Sequence, residues 1–296
     1  MFLISRNVPL FICPSEQNPK KKMKTQSIDL TIKILGNGGA INKGLPYNSF
    51  IINDSLLCEL PPDIMLSLHR NKVHLSLIDT IYISHLHGDH IFGLPFLVLS
   101  AFFNSERTGD KSSFSLIGPN GLEELAHNLV ISAFTKSHPC LSWMQKFCRF
   151  FETDASGTPN LTDGYETSLF KLDHMMETFG FLLADSSGKG ASFAYIADTL
   201  WCESVLSVIE KKPRLVLIDL NGSLDDLKPV HLSMAELIEK GIPVAGNQST
   251  FLGTHLREPF SSELPQIVCA EPGMTVVVPS DKKKSVAIGP PAKQFC

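Results

Sequence analysis

The sequence predicts a single α+β domain in which one β-sheet packs on another and helices cover the outside. Three observations support this. Strand-like runs dominate both halves of the chain, helical patterns lie between them, and no repeat or low-complexity tract divides the chain. With 296 residues, 43% of them hydrophobic and 19% charged, the chain can bury a sizeable core. We expect residues 28–296 to form this domain and residues 1–27 to be a disordered N-terminal extension.

The first half of the predicted domain alternates strands with helices. Residues 28–35 alternate as a half-buried strand does, and residues 49–53 and 55–59 predict a hairpin around Asn53-Asp54. Pro61-Pro62 predicts the start of a helix that runs to Arg70. Further elements are expected as a strand at 78–84, a buried helix at 91–103, a strand at 113–117 and a helix at 122–134.

The second half contains one stretch without a clear period. Residues 136–167 predict a loop or lid, which would set substrate specificity together with other loops. Beyond it we expect strands at 168–172, 179–184, 192–196, 215–218 and 275–278, and helices at 202–210 and near 233–240.

Charge and cysteine content exclude several classes of protein. A net charge of −4 gives no sign of a nucleic-acid-coating protein, and the lysine clusters at 20–22 and 282–284 are interpreted as solvated surface rather than RNA or membrane contacts. The seven cysteines form no Cys-x-x-Cys pair, so we expect free thiols in a reducing cytoplasm. No apolar run approaches the roughly 18 residues that cross a bilayer, so no membrane association is expected.

The motif His85-x-His87-x-Asp89-His90 places four metal-ligand side chains within six residues, directly after a strand-like run. Two imidazoles at i and i+2 on an extended segment point to the same side. Gly88 allows a tight turn that would bring Asp89 and His90 back to the same point. A catalytic zinc normally takes three protein ligands and water, so the motif predicts two adjacent ions.

Two ions need donors from further loops, and these are expected where apolar runs end. Three residues satisfy this condition, namely His174, Asp198 and His255. Each alone fits a structural role better than a ligand role. Together with the first cluster they predict a dinuclear hydrolytic site.

The segment Ser84-His-Leu-His-Gly-Asp-His-Ile-Phe-Gly-Leu94 resembles the signature of the metallo-β-lactamase superfamily, and the later donors follow in that family's order. The resemblance implies a four-layer αββα sandwich with the metals at one edge of the sheets. It assigns one metal to His85, His87 and His174 and the other to Asp89, His90 and His255. Asp198 would bridge the two.

Within the superfamily the chain looks most similar to the ribonuclease Z and cyclic-nucleotide phosphodiesterase branch. Segments 116–124, 173–181 and 230–236 carry the likeness, and the last would place His231 as an additional catalytic histidine that Asp219 orients. Two departures stand out. No basic arm separates His174 from Asp198, and Glu59 stands where the family's first motif has an aspartate. These departures favour a small or nucleotide-like substrate over precursor tRNA.

The resemblance implies a mechanism with two divalent metal ions. Zinc is favoured by the imidazoles, and manganese or iron also suits the mixed donor set. A hydroxide shared between the ions would attack phosphorus, and Asp89 could accept or relay the proton of the nucleophile. His231 would stabilise phosphoryl charge or protonate the leaving alkoxide.

Several alternatives stay open at this stage. A carboxyl-type hydrolase acting on lactones, β-lactams or thioesters could use the same metals, and a ribonuclease Z-type tRNA 3′ endonuclease would extend the partners to RNA. A non-catalytic binding module ranks last because all seven donors are present. An iron-dependent redox role would require iron on purification. A homodimer would fit the family.

Overall fold

Two mixed β-sheets pack face to face, with helices on both outer faces. The structure, a computed structural model, describes residues 29–109, 113–154, 160–185, 191–223 and 229–291. The predicted N-terminal extension, residues 1–27, lies outside these described residues. The layer order helix, sheet, sheet, helix confirms the predicted αββα sandwich.

The first sheet has eight strands in the order β14-β13-β1-β2-β3-β4-β5-β6. Strands β14 to β3 pair antiparallel, and β3 to β6 pair parallel. The predicted hairpin is present, with Asn53 and Asp54 both at positive φ as a tight hairpin turn requires. The strands of the first sheet are β1 (Leu30–Gly36), β2 (Ser49–Ile52), β3 (Leu56–Cys58), β4 (Thr80–Tyr82), β5 (Phe114–Gly118), β6 (Cys148–Glu152), β13 (Thr275–Val278) and β14 (Ala287–Ile288).

The second sheet has six strands in the order β12-β11-β10-β9-β8-β7. Strands β9 to β12 pair parallel, and β7, β8 and β9 pair antiparallel. The central strand β10 is buried along its whole length, as parallel strands covered on both faces are. The strands are β7 (Tyr165–Lys171), β8 (Phe179–Asp185), β9 (Ala191–Ile196), β10 (Leu215–Asp219), β11 (Thr250–Thr254) and β12 (Ile267–Cys269).

Alternation along the strands builds the core between the sheets. Ile32 and Ile34 of β1 face the second sheet, and the ring of Phe181 in β8 meets the ring of Tyr82 in β4 at 4.9 Å between centroids. The outer face of the first sheet packs against α1 (Ile64–Arg70), α2 (Gly88–Ile91), α3 (Leu94–Thr108), α4 (Leu122–Phe134) and α5 (Pro139–Phe147). The second sheet is covered by α6 (Glu203–Glu210), α7 (Met234–Glu236), a π-helical turn (Leu237–Gly241) and α8 (Ile242–Ala245).

Three sequence-based predictions are wrong. The stretch 136–167 is not one continuous loop or lid, because it contains α5, the edge strand β6 and the start of β7; its residues 155–159 lie outside the described residues. The helix expected at 91–103 is two helices with a break at Phe92-Gly93, where a side chain on Gly93 would meet the carbonyl of Pro61. It is also only half-buried, since Phe92, Phe96 and Phe103 are exposed. Strands β11, β12 and β14 were not anticipated.

None of the described helices is both long and apolar enough to cross a membrane.

We predict that the inter-sheet core carries a large share of the folding free energy. Phe181 is fully buried among Tyr82, Phe193 and Tyr195, so Phe181→Ala is expected to lower the free energy of unfolding by about 3–5 kcal/mol. Leu66, which is 48% exposed on α1, gives the control: Leu66→Ala is expected to change it by about 0.5 kcal/mol or less. Urea denaturation measures both, and equal effects would contradict the assignment of the core.

Candidate metal centre

The predicted metal ligands meet at one edge of the sandwich because the strands that precede them end there. Strands β9, β10 and β11 run parallel, and β7 has the same direction because two antiparallel pairings separate it from β9. His174, Asp198 and His255 follow the ends of β7, β9 and β11. The first cluster follows β4 of the other sheet. The site therefore lies between the sheets, and each sheet supplies part of it.

The first group of donors consists of three imidazoles. Nε2 of His85 lies 2.9 Å from Nδ1 of His87, and Nε2 of His174 lies 3.3 Å from the same Nδ1. Zinc–nitrogen bonds of about 2.0–2.1 Å place tetrahedral ligands about 3.3 Å apart, so the spacing suits one ion. The Nδ1 atom of His174 hydrogen-bonds the carbonyl of Val230 at 3.2 Å, which leaves Nε2 free to face the group.

The second group lies directly beside the first. Oδ2 of Asp89 is 3.2 Å from Nε2 of His255 and 3.5 Å from Nε2 of His90. The rings of His85 and His90 are 4.1 Å apart between centroids. Two carboxylate–imidazole contacts and the adjacent rings make this a second three-donor group with one carboxylate.

Asp198 lies between the two groups. Its Oδ2 is 3.3 Å from Nε2 of His255 and 3.8 Å from Nε2 of His85, and its Oδ1 is 3.5 Å from Nε2 of His90. The residue is only 2% exposed. A buried carboxylate in contact with donors of both groups has the position that the sequence predicts for a bridging ligand.

Two observations show that the residues fit a pair of cations. First, two buried polar atoms that face the site, Nε2 of His90 and Oδ1 of Asp198, have no hydrogen-bond partner. Buried polar atoms are normally satisfied, so atoms of this kind at a cluster of donors suit metal coordination. Second, the donor set of imidazoles and carboxylates is one that zinc, manganese and iron accept.

The pKa shifts reflect the charges of the two groups. Burial lowers the pKa of His85, His87 and His174, which favours the neutral imidazoles that bind metals. Burial also disfavours charge on His255, but Asp198 and the neighbouring Asp219 and Asp89 outweigh it and raise its pKa to about 10. The carboxylates around the second group therefore favour positive charge at this position.

His231 is positioned beside both groups. Its ring centroid lies 5.7 Å from that of His174 and 5.1 Å from that of His255. Its Nδ1 lies 2.8 Å from Oδ2 of Asp219, and this fully buried carboxylate also accepts the backbone N–H of Thr199 and of Asn221. Asp219 thus holds Nδ1 protonated and leaves Nε2 of His231 available for chemistry.

The local backbone differs from the prediction at one point. Gly88 is the first residue of α2 and does not form a left-handed turn, so the helix itself brings Asp89 and His90 back to the site. The left-handed conformations occur instead at His255 (φ 57°) and Glu59 (φ 68°). Non-glycine residues with positive φ are uncommon and concentrate at functional sites.

The structure brings all nine predicted site residues together, while their roles stay predictions. Sequence reasoning noted Glu59 only as a departure from the family and gave it no function. The structure places its buried carboxylate 3.3 Å from Nδ1 of His90 and 2.9 Å from the hydroxyl of Tyr195. A tyrosine within the otherwise apolar strand of residues 193–197 was the available signal.

Most of the chain matches a known protein family. The family model described as anti-Pycsar protein Apyc1 matches residues 30–260. A ribonuclease Z of Lactobacillus delbrueckii subsp. bulgaricus is 33% identical over 122 residues, which are 41% of this chain. The chain spans about a third of that relative's length, because the match covers 36% of it.

Solved structures share the fold at low sequence identity. The metallo-β-lactamase fold protein YhfI from Bacillus subtilis matches with a TM-score of 0.66 and 15% identity, over 84% of this chain and 99% of that one. The short form of human tRNase Z matches with a TM-score of 0.62 and 17% identity, over 84% and 99%. These structures confirm the metallo-β-lactamase fold that the resemblance implies.

We predict that divalent cations stabilise the fold through this centre. Each donor group combines residues from both sheets, so Zn²⁺ added at about 100 times its dissociation constant should stabilise the chain by about 2.7 kcal/mol per site. Asp198→Asn should remove most of that gain, and Asp79→Asn, at an exposed carboxylate, should keep it. Differential scanning fluorimetry with and without Zn²⁺ measures the effect. An undiminished gain in Asp198→Asn would contradict the bridging position.

Proposed function

The chain belongs to the anti-Pycsar protein Apyc1 family, and from this membership and the geometry of the site we propose that it is a dinuclear metal-dependent phosphodiesterase. The observation that carries the proposal is the buried His231–Asp219 pair beside both donor groups. A hydrolase that opens a β-lactam or a thioester releases no alkoxide and so does not need a second imidazole poised for one. A phosphodiesterase does, because its leaving group departs with negative charge.

Two zinc ions are the proposed cofactors, with manganese or iron as the alternatives. His85, His87 and His174 would hold one ion, Asp89, His90 and His255 the other, and Asp198 both. Bound there, the ions would neutralise phosphoryl charge and lower the pKa of water in the site.

The chain's own residues would then complete the reaction. His231 would donate the proton on Nε2 to the leaving alkoxide oxygen. The Asp219 carboxylate accepts from Nδ1 and raises the pKa of His231 against the opposing effect of burial, so the imidazolium form is available near neutral pH. Asp89 would accept or relay the proton of the attacking nucleophile. No further acid is required.

The proposed substrate is small or nucleotide-like. Only 23 residues separate His174 from Asp198, and strands β8 and β9 take up 13 of them, so the segment has no room for an arm that grips a folded RNA. An exposed apolar side chain lies beside the site instead, since Met175, 73% exposed, directly follows His174. Such a surface suits contact with a base or another apolar substituent.

A ribonuclease Z-type activity on precursor tRNA is the second candidate, and the local identity with ribonuclease Z favours it. A panel of bis-p-nitrophenyl phosphate, cyclic nucleotides, precursor tRNA, a lactone and a thioester, assayed on metal-reconstituted protein, separates the candidates. Cleavage of small diesters or cyclic nucleotides well above the others supports the proposal. Precursor tRNA cleaved at a rate rivalling the diesters overturns the substrate class.

We also propose that the protein is a homodimer. Phe92, Phe96 and Phe103 are each about half exposed along α2 and α3, and such apolar stripes commonly mark interfaces. Light scattering coupled to size-exclusion chromatography should give twice the chain mass, and a Phe96→Glu, Phe103→Glu double variant should give the monomer mass.

We predict that His231→Ala lowers turnover of a phosphodiester by about 10²–10⁴-fold, because the leaving oxygen loses its proton donor. Zinc content should be retained, since His231 is outside both donor groups. Asp219→Asn should lower turnover as well, because the amide no longer enforces the tautomer. His69→Ala, at an exposed histidine on α1, is the control and should be unchanged. Steady-state kinetics and metal analysis measure these effects, and full activity in His231→Ala would point to carboxyl-type hydrolysis.

A further inference from the structure

A path of four buried polar contacts leads from His90 to the residue before His255 through the core between the sheets, and three of the four are hydrogen bonds. It starts at Glu59, whose Oε2 is 3.3 Å from Nδ1 of His90. Oε1 of Glu59 accepts the Tyr195 hydroxyl at 2.9 Å, and the oxygen of that hydroxyl accepts Nδ2 of Asn48 at 3.0 Å. Oδ1 of Asn48 accepts the hydroxyl of Thr254 at 2.7 Å.

The path alternates between the two sheets. Glu59 follows β3 and Asn48 precedes β2, both in the first sheet, whereas Tyr195 lies in β9 and Thr254 ends β11 in the second. Each of these side chains is at most 2% exposed. Polar groups this deeply buried destabilise a core unless each is paired. Each of the four side chains has a hydrogen-bond partner here, and Glu59 also accepts the backbone N–H of Ser84.

Both ends of the path reach the second donor group. Glu59 faces the ring nitrogen of His90 that points away from the site, so it orients the ring with Nε2 toward Asp89 and Asp198. At the other end Thr254 is joined to His255 by a peptide bond, and the backbone of His255 has the uncommon φ of 57°. Such a conformation persists only where its surroundings hold it.

Tyr195 lies in the middle of this path, and its hydroxyl is the donor to Glu59. Burial, with the Glu59 charge beside it, raises its pKa well above the ordinary value, so the hydroxyl keeps its proton for Glu59. Rings of Phe50 and Phe181 pack on it at 4.8 and 5.6 Å and limit its motion.

We propose that Glu59, Tyr195, Asn48 and Thr254 form a positioning relay that couples His90 to His255 and so sets the affinity of the second cation site. The proposal rests on the two-ion centre of the proposed function. None of the four side chains needs to touch a metal or the substrate, so they are positioning residues. Glu59, which stands where the first motif of the metallo-β-lactamase superfamily has an aspartate, has a side chain long enough to contact His90 and Tyr195 together.

The test is a titration of the metal-free full-length chain with Zn²⁺, followed by calorimetry and by metal analysis after dialysis against graded chelator. Wild type should bind two equivalents. Tyr195→Phe should weaken the second equivalent by about 10–100-fold and leave the first unchanged, because outer hydrogen-bond partners contribute on that scale. Co²⁺-loaded protein should show a matching change in the absorption of one site only.

Tyr82→Phe provides the matched control. Tyr82 is also a fully buried tyrosine in the inter-sheet core, and its hydroxyl donates to the carbonyl of Phe179 at 2.8 Å, outside the relay. Equal weakening of the second ion by Tyr82→Phe and Tyr195→Phe would show general loosening of the core and overturn the relay. Weakening of both ions alike in Tyr195→Phe would overturn it too.

A second substitution keeps the test decisive if Tyr195→Phe fails to fold. Thr254→Val, which removes the far end of the relay, should weaken the second ion, whereas Thr250→Val in the same strand should not. Adding Thr254→Val to a folded Tyr195→Phe should cause little further loss, since both break one path. Full additivity overturns the relay while the two-ion centre stands. A wild-type chain that binds one equivalent overturns the centre and the relay together.

Discussion

The site depends on one buried carboxylate, that of Asp198. It is 2% exposed at the end of a strand in the second sheet, and it faces His85 and His90 of the first sheet and His255 of the second. A buried charge without partners costs several kcal/mol, so the carboxylate is tolerable only where positive charge meets it. The imidazoles supply part of that charge in the metal-free chain, where His90 and His255 have raised pKa values that Asp198 promotes against the effect of burial. Two cations would supply it fully.

Much of the fold could be predicted because its signals are local. The Asn53-Asp54 hairpin follows from two residues that accept positive φ, and helix α4 has the bounds 122–134 that its period predicts. Strand β11 escaped prediction because Gly253 and its flanking threonines give no alternating pattern; its pairing with β10 and β12 makes it a strand. Residues 136–167 escaped for a similar reason, since α5 and β6 are short and depend on contacts with the outer face of the first sheet.

The candidate site likewise has parts that local sequence signals predict and parts that they do not. The cluster at His85–His90 could be found because four donors lie within six residues, and His174, Asp198 and His255 could be found by their places after apolar runs. The residues that support these donors could not be found from the sequence. Glu59 and Tyr195 are 136 residues apart, and Asn48 and Thr254 are 206 apart, so no local pattern joins them. Only the stacking of the two sheets makes these pairs neighbours, and no spacing rule anticipates a stacking contact.

The two sheets contribute unequally to the centre. The first sheet supplies a contiguous cluster that α2 holds rigidly, whereas the second supplies single residues at the ends of separate strands. Each donor group therefore takes two residues from the first sheet and one from the second: His174 completes the first group and His255 the second. A cation in either group would join the sheets, and its affinity would depend on how well the sheets are held in register beforehand. The buried path through Glu59 and Tyr195 crosses that same interface beneath the site. Metal binding and inter-sheet packing would thus both depend on the relative position of the two sheets.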